Sequence, residues 1–103
     1  MINSITLAGR AGKDFILKPI GTTLTKAVGT IAYQNRKDSP VSWFNVDIVS
    51  FGADTTAKRA SEQIKKGDLV LVEGKMLSNQ AEDGKTYWRL EAHSFNLLNK
   101  EQA

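Results

Sequence analysis

The stretch Trp43-Phe44-Asn45-Val46-Asp47-Ile48-Val49-Ser50-Phe51 predicts a β-strand with two different faces. Successive side chains of a strand point to opposite sides. One face therefore carries Phe44, Val46 and Ile48, and the other carries Trp43, Asn45, Asp47, Val49 and Phe51. The first face is apolar and belongs in a core. The second suits single-stranded nucleic acid, since any base can stack on an exposed ring, but it also suits a second apolar contact, such as a barrel mouth or a subunit interface.

Length and composition narrow the class of protein. With 103 residues the chain forms one domain, expected at residues 1–99 with a short C-terminal end at 100–103. A formal net charge of +3 mildly favours polyanions. The absence of cysteine excludes disulfides, thiolate metal sites and thiol catalysis. No apolar run is long enough to span a membrane, and residues 1–4 do not resemble a signal peptide, so a cytoplasmic protein is expected.

The other segments predict four more strands and one helix. Strand patterns occur at 5–17, with a bend at Gly9–Gly12, and at 22–33, 69–77 and 87–98, the last after an aspartate-glycine turn. Apolar residues three or four apart from Ala53 to Ile64 predict the helix, capped by Asp54 or Thr55 and stopped by Gly67. This order is that of an OB-fold, a five-stranded Greek-key barrel with a helix between strands three and four.

Few residues offer catalytic or metal chemistry. His93 is the single histidine and is interpreted as structural, since no second imidazole or thiol completes a metal or nucleophile set. The adjacent carboxylates Glu82 and Asp83 are interpreted as the tip of a hairpin. Gly9-Arg10-Ala11-Gly12 has the letters of a phosphate-binding loop but precedes no helix, so a barrel corner explains it better. We therefore expect no enzymatic activity, cofactor or metal.

Basic residues from separate segments are expected to converge on a phosphate backbone. On an OB-fold the loop after strand one and the last hairpin flank the same face. The candidates are Arg10 and Lys13 near the first bend, Arg36 and Lys37 in the loop after strand two, Lys75 beside the fourth strand, and Lys85 and Arg89 around the last hairpin. Lys58, Arg59, Lys65 and Lys66 are interpreted as a solvated helix face and are left out of the site.

Three segments, 7–14, 43–46 and 65–75, resemble the bacterial-type single-stranded DNA-binding proteins, and the similarity covers nearly the whole chain. The resemblance implies an OB-fold, a homotetramer built partly through the first strand, and no enzymatic activity. It also implies that single-stranded DNA wraps on aromatic platforms and basic grooves during replication, repair and recombination. Trp43 matches one platform. Phe51 matches a second only if two residues are inserted, since the usual spacing of the family would place Val49 there.

The chain departs from the family pattern in two further places. Two platforms of the better-known members are absent: the end of strand two offers Tyr33 and Arg36, and the last hairpin offers Asn79 and Gln80, with Trp88 further along. These differences predict weaker binding or a shifted DNA path. The sequence also stops at 99–103 without a glycine-rich linker and acidic tip. We therefore expect no recruitment of proteins that bind such a tip.

Several identities remain compatible with the sequence. As a short OB protein without a tail, the chain also resembles the dimeric primosomal protein of replication restart. A phage-borne, plasmid-borne or truncated single-stranded DNA-binding protein would have the same features. From other functional classes, the alternatives are an OB-fold protein-interaction subunit and a cold-shock-like RNA-binding module. Sequence does not separate DNA from RNA, since the discriminating contact is a 2′-hydroxyl.

Overall fold

Six strands and one helix form a closed sheet in the computed structural model, which describes residues 1–99. The elements are β1 (Ile5–Ala11), β2 (Ile16–Ile20), β3 (Leu24–Gln34), β4 (Val41–Phe51), α1 (Thr56–Gln63), β5 (Leu69–Gln80) and β6 (Thr86–Leu97). The sheet order is β1-β5-β6-β4-β3-β2, and an additional pairing of β1 with β3 closes the barrel. This architecture agrees with the expected OB-fold.

The expected count of five strands is wrong by one. Segment 5–17 is two strands, because the ladder along β3 is broken between Ala11 and Ile16. Both strands are antiparallel to β3, so β2 continues the course of β1. Phe15 lies in the gap, 2% exposed, with its ring over Gly29, where any Cβ would collide with the ring. The inward turn of Phe15 explains the break.

The barrel closes where β1 changes partners. β1 pairs with β5 from Ile5 to Arg10 and with β3 at Arg10 and Ala11. A side chain at Gly9 would collide with the carbonyl oxygen of Ala32 in β3. The expected corner at this glycine is therefore confirmed, and its cause is the close approach of two backbones.

The core lies between the inward face of the sheet and α1. Val46 and Ile48 are fully buried, and Phe44 packs against the same cluster, which confirms the expected inward face of β4. Val49, expected on the outward face, is nevertheless only 7% exposed. Its cross-strand neighbour is Lys26, whose Nζ reaches Asp47. The methylenes of Lys26 therefore pass along the sheet beside Val49 and shield it from water.

The helix is shorter than expected, and of the two expected capping residues Asp54, not Thr55, bonds its first amide. α1 ends at Gln63, so Lys65 and Lys66 lie beyond it and contribute no cations to its last turn. Thr55 occupies the N-cap position without a side-chain capping bond. The amide of Ala57 instead donates to Ser50 Oγ at 2.7 Å, and that of Thr56 donates to Asp54 Oδ1 at 3.0 Å. Within residues 1–99 no helix is long and apolar enough to cross a membrane.

A long hairpin of β5 and β6 extends from the barrel. Its turn places Gly84 at φ +82°, with the Ala81 amide bonded to the Lys85 carbonyl at 2.9 Å. The expected hairpin is confirmed. The register shifts at Gly74, which pairs with Ala92 while Glu73 pairs with Ser94, leaving His93 as the extra residue of a bulge. The bend expected at Gly74 is thus present.

Candidate nucleic-acid interface

β4 places two of its three aromatic side chains at opposite ends of the outward sheet face. Trp43 and Phe51 are each 64% exposed. They are eight positions apart, or roughly 26 Å at the usual rise per strand residue. Val49, the position that the family spacing would select, is buried. Of the two alternatives for the second platform, Phe51 is the one that presents an accessible ring.

The ring of Trp43 is supported from one side. A Cβ at Gly12 would lie 2.6 Å from Trp43 Cζ3 and 2.6 Å from Thr30 Oγ1. The edge of the indole therefore packs directly over the glycine backbone. The Gly12 amide in turn donates to the Thr30 carbonyl at 3.0 Å. The Gly-Arg-Ala-Gly segment thus supports the tryptophan as well as forming a barrel corner.

Asp47 lies between the two aromatic positions and holds two cations. Its Oδ2 is 3.5 Å from Lys26 Nζ and 3.5 Å from Arg89 Nε. The Asp47 side chain is 13% exposed, so the cluster is partly desolvated. Arg89 Nε is buried without a hydrogen-bond partner within residues 1–99. Arg89, a sequence candidate for phosphate contact, therefore has a carboxylate beside it.

Lys75 has a similar position relative to an acidic residue. It is exposed on β5 and pairs in register with Glu91 of β6, which pairs in register with Asp47 of β4. The middle of the outward face consequently mixes cations with carboxylates. Its attraction for a phosphate is weaker than the count of basic residues suggests.

Tyr33 and Arg10 line one surface groove, formed where β1 crosses the end of β3. Tyr33 is exposed, and its hydroxyl is 3.2 Å from Asn35 Oδ1. The loop that follows is closed by Gln34, whose Nε2 donates to the carbonyls of Lys37 and Ser39. The structure leaves the side chains of Arg36 and Lys37 exposed on this loop.

The hairpin carries Lys85, Tyr87 and Trp88, all exposed. Side chains alternate along β6, and Leu90 and Ala92 are in the core. Trp88 therefore shares their side of the strand, whereas Tyr87 and Arg89 share the opposite side. Tyr87, which the sequence analysis missed, is the hairpin aromatic on the same side as Arg89. Counting residue parity back from the apolar Leu90 would have found it.

The structure also brings together cations that the sequence analysis had separated. Lys65 and Lys66, which were assigned to the helix, lie in a turn bonded to the segment that contains Arg10 and Lys13. Arg10 Nη1 donates to the carbonyl of Gly67 at 3.3 Å. All four side chains are exposed. No sequence pattern predicts this proximity, since more than fifty residues separate the two segments.

Residues 1–99 contain no group of three or more His, Cys, Asp or Glu side chains that could hold a metal ion. His93 is exposed at the bulge of β6. Hydrogen bonds from the side chain and the backbone of Thr56 lower the pKa of Asp54, which serves the start of α1. The described residues therefore show no metal site, and the lowered pKa of Asp54 belongs to the start of α1.

Comparison with known proteins gives one consistent family. The family model described as the single-strand binding protein family matches residues 2–96. The chain is 34% identical over 85 residues to "Single-stranded DNA-binding protein 1" of Synechocystis sp., covering 80% of this chain and 67% of that protein. It is 31% identical over 86 residues to proteins of similar name from Nostoc sp. and Anabaena variabilis, covering 82% of this chain and 69% of each. The chain belongs to the single-strand binding protein family.

Proposed function

We propose that this chain binds single-stranded DNA without strong sequence preference, by stacking bases on Trp43 and Phe51. The observation that carries this proposal is the position of Trp43, which is largely exposed yet packed against Gly12 on a strand whose other face forms the core. A ring held in this way loses little freedom when a base stacks on it. Stacking accepts any base, because every base has a π-face.

Phosphate contacts accompany the stacking. We assign them to the exposed cations around the aromatic positions: Arg10, Lys13, Arg36, Lys37, Lys75 and Lys85, with Arg89 contributing if it leaves Asp47. Tyr33, Tyr87 and Trp88 are further aromatic contacts in this proposal. In this proposal the protein acts by covering the single-stranded DNA and catalyses no reaction, so no cofactor or metal takes part.

The expected setting follows from membership of the family. The proposed role is protection of single-stranded DNA during replication, repair and recombination in the cytoplasm. One OB-fold covers on the order of 4–16 nucleotides, so protection of longer strands requires several subunits. We propose a homotetramer, with a dimer as the alternative that would favour the restart-protein interpretation. The expectation of no tail-mediated recruitment concerns residues 100–103, which lie outside the described residues.

A fluorescence titration tests the function. Oligo-dT, oligo-rU and duplex DNA are each added to the protein while tryptophan emission and anisotropy are followed. Oligo-dT is expected to quench the tryptophan emission. A plot of log binding constant against log salt concentration should have a slope of about −0.7 per neutralised phosphate. Preference for oligo-rU would favour an RNA-binding module. No binding, or affinity that does not change with salt, would contradict the proposed function.

A further inference from the structure

The end of the outward sheet face that carries Phe51 also carries aliphatic side chains from two other strands. Phe51 of β4 pairs in register with Leu24 of β3, and Leu24 pairs in register with Ile20 of β2. Residues that lie directly opposite each other on antiparallel strands point to the same side of the sheet. Ile20, Leu24 and Phe51 therefore form one row across three strands, here called the apolar row.

The apolar row is open to a ligand. Phe51 is 64% exposed, Ile20 is 49% exposed, and Leu24 between them is half-buried. The row lies beside the turn that joins β2 to β3, and the Gly52 amide donates to the Thr23 carbonyl of this turn at 2.9 Å. This bond ties the end of β4 to the turn, so the row is already assembled without a ligand.

A lysine without a salt bridge lies in the next row of the same face. Lys18 of β2 pairs in register with Lys26 of β3. The two lysines are two positions from Ile20 and Leu24 on their strands, or roughly 7 Å. Lys26 contacts Asp47, but Lys18 is exposed and forms no salt bridge within residues 1–99. A phosphate attached to a base on the apolar row therefore has a cation within reach.

Two carboxylates belong to β4 and to the turn that follows it, and both have partners. Asp54 comes three residues after Phe51, and its Oδ1 accepts the amide and the hydroxyl of Thr56 at 3.0 and 2.7 Å. Asp47 is four positions before Phe51, and its Oδ2 is 3.5 Å from Lys26 Nζ. These two carboxylates balance the two lysines of the neighbouring row. The apolar contacts therefore decide which base is preferred at this end of the face.

The composition of the apolar row distinguishes one base from the others. Its side chains have no hydrogen-bond donor or acceptor, so they do not read the polar groups on a base edge. Thymine carries a methyl group at C5, and apolar side chains contact this methyl in protein–DNA complexes. A thymine that stacks on Phe51 with its methyl towards Leu24 and Ile20 gains this contact. Uracil has only a hydrogen atom at the same position.

We propose that the apolar row is a thymine-preferring base site, in which Phe51 supplies the stacking surface and Leu24 and Ile20 contact the 5-methyl group. This inference rests on the proposed function and deepens it, because it gives one stacking position a preference among pyrimidines. Burial of one methyl group strengthens binding by about fourfold. An effect of this size leaves the protein able to bind any sequence.

The test compares oligo-dT with oligo-dU of about 16 nucleotides, the upper limit that one OB-fold covers. The two strands differ only in the methyl group, and the wild-type protein should bind oligo-dT about fourfold more tightly. Ile20→Ser and Leu24→Ser should each bring the ratio of the two Kd values closer to one. Because this ratio compares two ligands on the same protein, a loss of stability in a variant does not change it.

Ile16→Ser is the matched control. Ile16 is 54% exposed, similar to Ile20, and it lies on the same strand and the same face, four positions away. It pairs in register with Val28, outside the apolar row. The variant should therefore retain the wild-type ratio of the two Kd values.

The possible results separate the inference from the function on which it rests. A wild-type ratio of one, or a ratio that Ile20→Ser and Leu24→Ser leave unchanged, would overturn the inference while the proposed function stands. An equal change from Ile16→Ser would also overturn it, because the preference would then not depend on the apolar row. A lower sedimentation mass of either row variant would assign the row to a contact between subunits and overturn the inference. Failure of the wild-type protein to bind either strand would overturn the proposed function itself.

Discussion

Trp43 is the residue on which the functional argument depends most. The sequence placed it opposite the core by parity, and the structure confirms this exposure. The structure adds that Gly12 supports the indole edge. An exposed tryptophan without support would lose more side-chain freedom on binding. The combination of exposure and support is what a stacking platform requires, and it supports the proposed role of Trp43.

Trp43→Ala should weaken binding of oligo-dT by about 1–3 kcal/mol, the usual contribution of one stacked base. The fold should remain, because the indole contributes to no part of the buried core. A core tryptophan would instead cost about 3–5 kcal/mol of stability when truncated. Fluorescence anisotropy with labelled oligo-dT measures the first quantity, and urea unfolding measures the second.

Trp88 complicates the intrinsic fluorescence, so Trp88→Phe serves as the background for quenching experiments. In that background the emission of Trp43 should fall when oligo-dT is added. Should Trp43→Ala unfold the protein, or bind DNA as tightly as the wild type, the platform assignment is wrong. The alternative of an apolar interface would then apply to this face of β4.

Asp47→Asn should tighten binding of single-stranded DNA. The carboxylate is close to both Lys26 and Arg89, and it repels a phosphate that approaches them. If removal of the carboxylate makes one more cation available to phosphate, the slope of log binding constant against log salt concentration steepens by about 0.7. With affinities that converge at 1 M salt, Kd at 0.1 M salt is then about fivefold lower. Titrations at several salt concentrations measure this change.

Asp47→Asn also tests the opposite role, in which the carboxylate helps DNA binding. If Asp47 positions the two cations for DNA, Asp47→Asn would weaken binding. Asn45→Asp provides the reverse change, because it adds a carboxylate at an exposed position on the same face of β4. It should weaken binding and give a flatter salt slope. Unchanged affinity in both variants would show that this part of the sheet does not contact DNA.

At the level of elements, the start of α1 depends on a residue of β4. Ser50 is buried, and its hydroxyl accepts the Ala57 amide, while the N-cap residue Thr55 makes no side-chain capping bond. Ser50→Ala should lower the free energy of unfolding by about 0.5–2 kcal/mol, the range for loss of a capping side chain. DNA affinity should not change, since Ser50 lies on the inward side of β4.

Thr55→Ala is the matched control for this prediction, and its unfolding curve in urea should stay close to that of the wild type. A larger loss of stability from Thr55→Ala than from Ser50→Ala would contradict the capping arrangement. The sequence alone indicated Asp54 or Thr55, because it shows local neighbours only. The bond from Ser50 depends on how β4 is packed against the helix.

The alternation of apolar and polar residues predicted the buried side chains well where strand pairing is regular. It failed where side chains from other segments cover the sheet. It placed Phe44, Val46 and Ile48 inward correctly, but it could not show that Lys26 would cover Val49. The end of α1 was missed because Lys65 and Lys66 are themselves good helix formers. The bond from Asp14 that holds the Lys66 amide comes from the tertiary fold, whereas the bond from Asp68 to the Lys65 amide is local.

For the candidate site, the sequence predicted the positions that depend on one strand but not those that depend on contacts between distant segments. Trp43 and Phe51 follow from the parity of one strand, and Tyr87 would follow from the parity of another. The neighbourhood of Arg10, Lys13, Lys65 and Lys66 does not, because it arises from pairing between distant segments. The neutralising effect of Asp47 on Arg89 has the same origin, since β4 and β6 meet only in the folded sheet.

At the scale of the whole molecule, the two strands at the ends of the sheet order differ in how well their edges are protected. β2 pairs on one side with β3, and its edge carries Lys18 and Pro19, which oppose pairing with another strand. β1 pairs with β5 from Ile5 to Arg10 and reaches β3 only at Arg10 and Ala11. The described part of β1 before Arg10 therefore has an edge without such protection.

This difference favours assembly through β1, which would supply one of the interfaces that the proposed tetramer needs. Sedimentation at micromolar concentration should give a mass of about four times the 11.3 kDa of one chain. Ala8→Lys places a charge at the edge of β1, at an exposed position, and should lower the mass. Ile16→Lys makes the same change on β2, also at an exposed position, and should leave the mass unchanged.

A wild-type mass of one chain would reject the proposed assembly, and a loss of mass from Ile16→Lys alone would move the interface to β2. A stable dimer that Ala8→Lys separates would keep the β1 interface but favour the restart-protein interpretation, because a second interface is required to build a tetramer from such dimers.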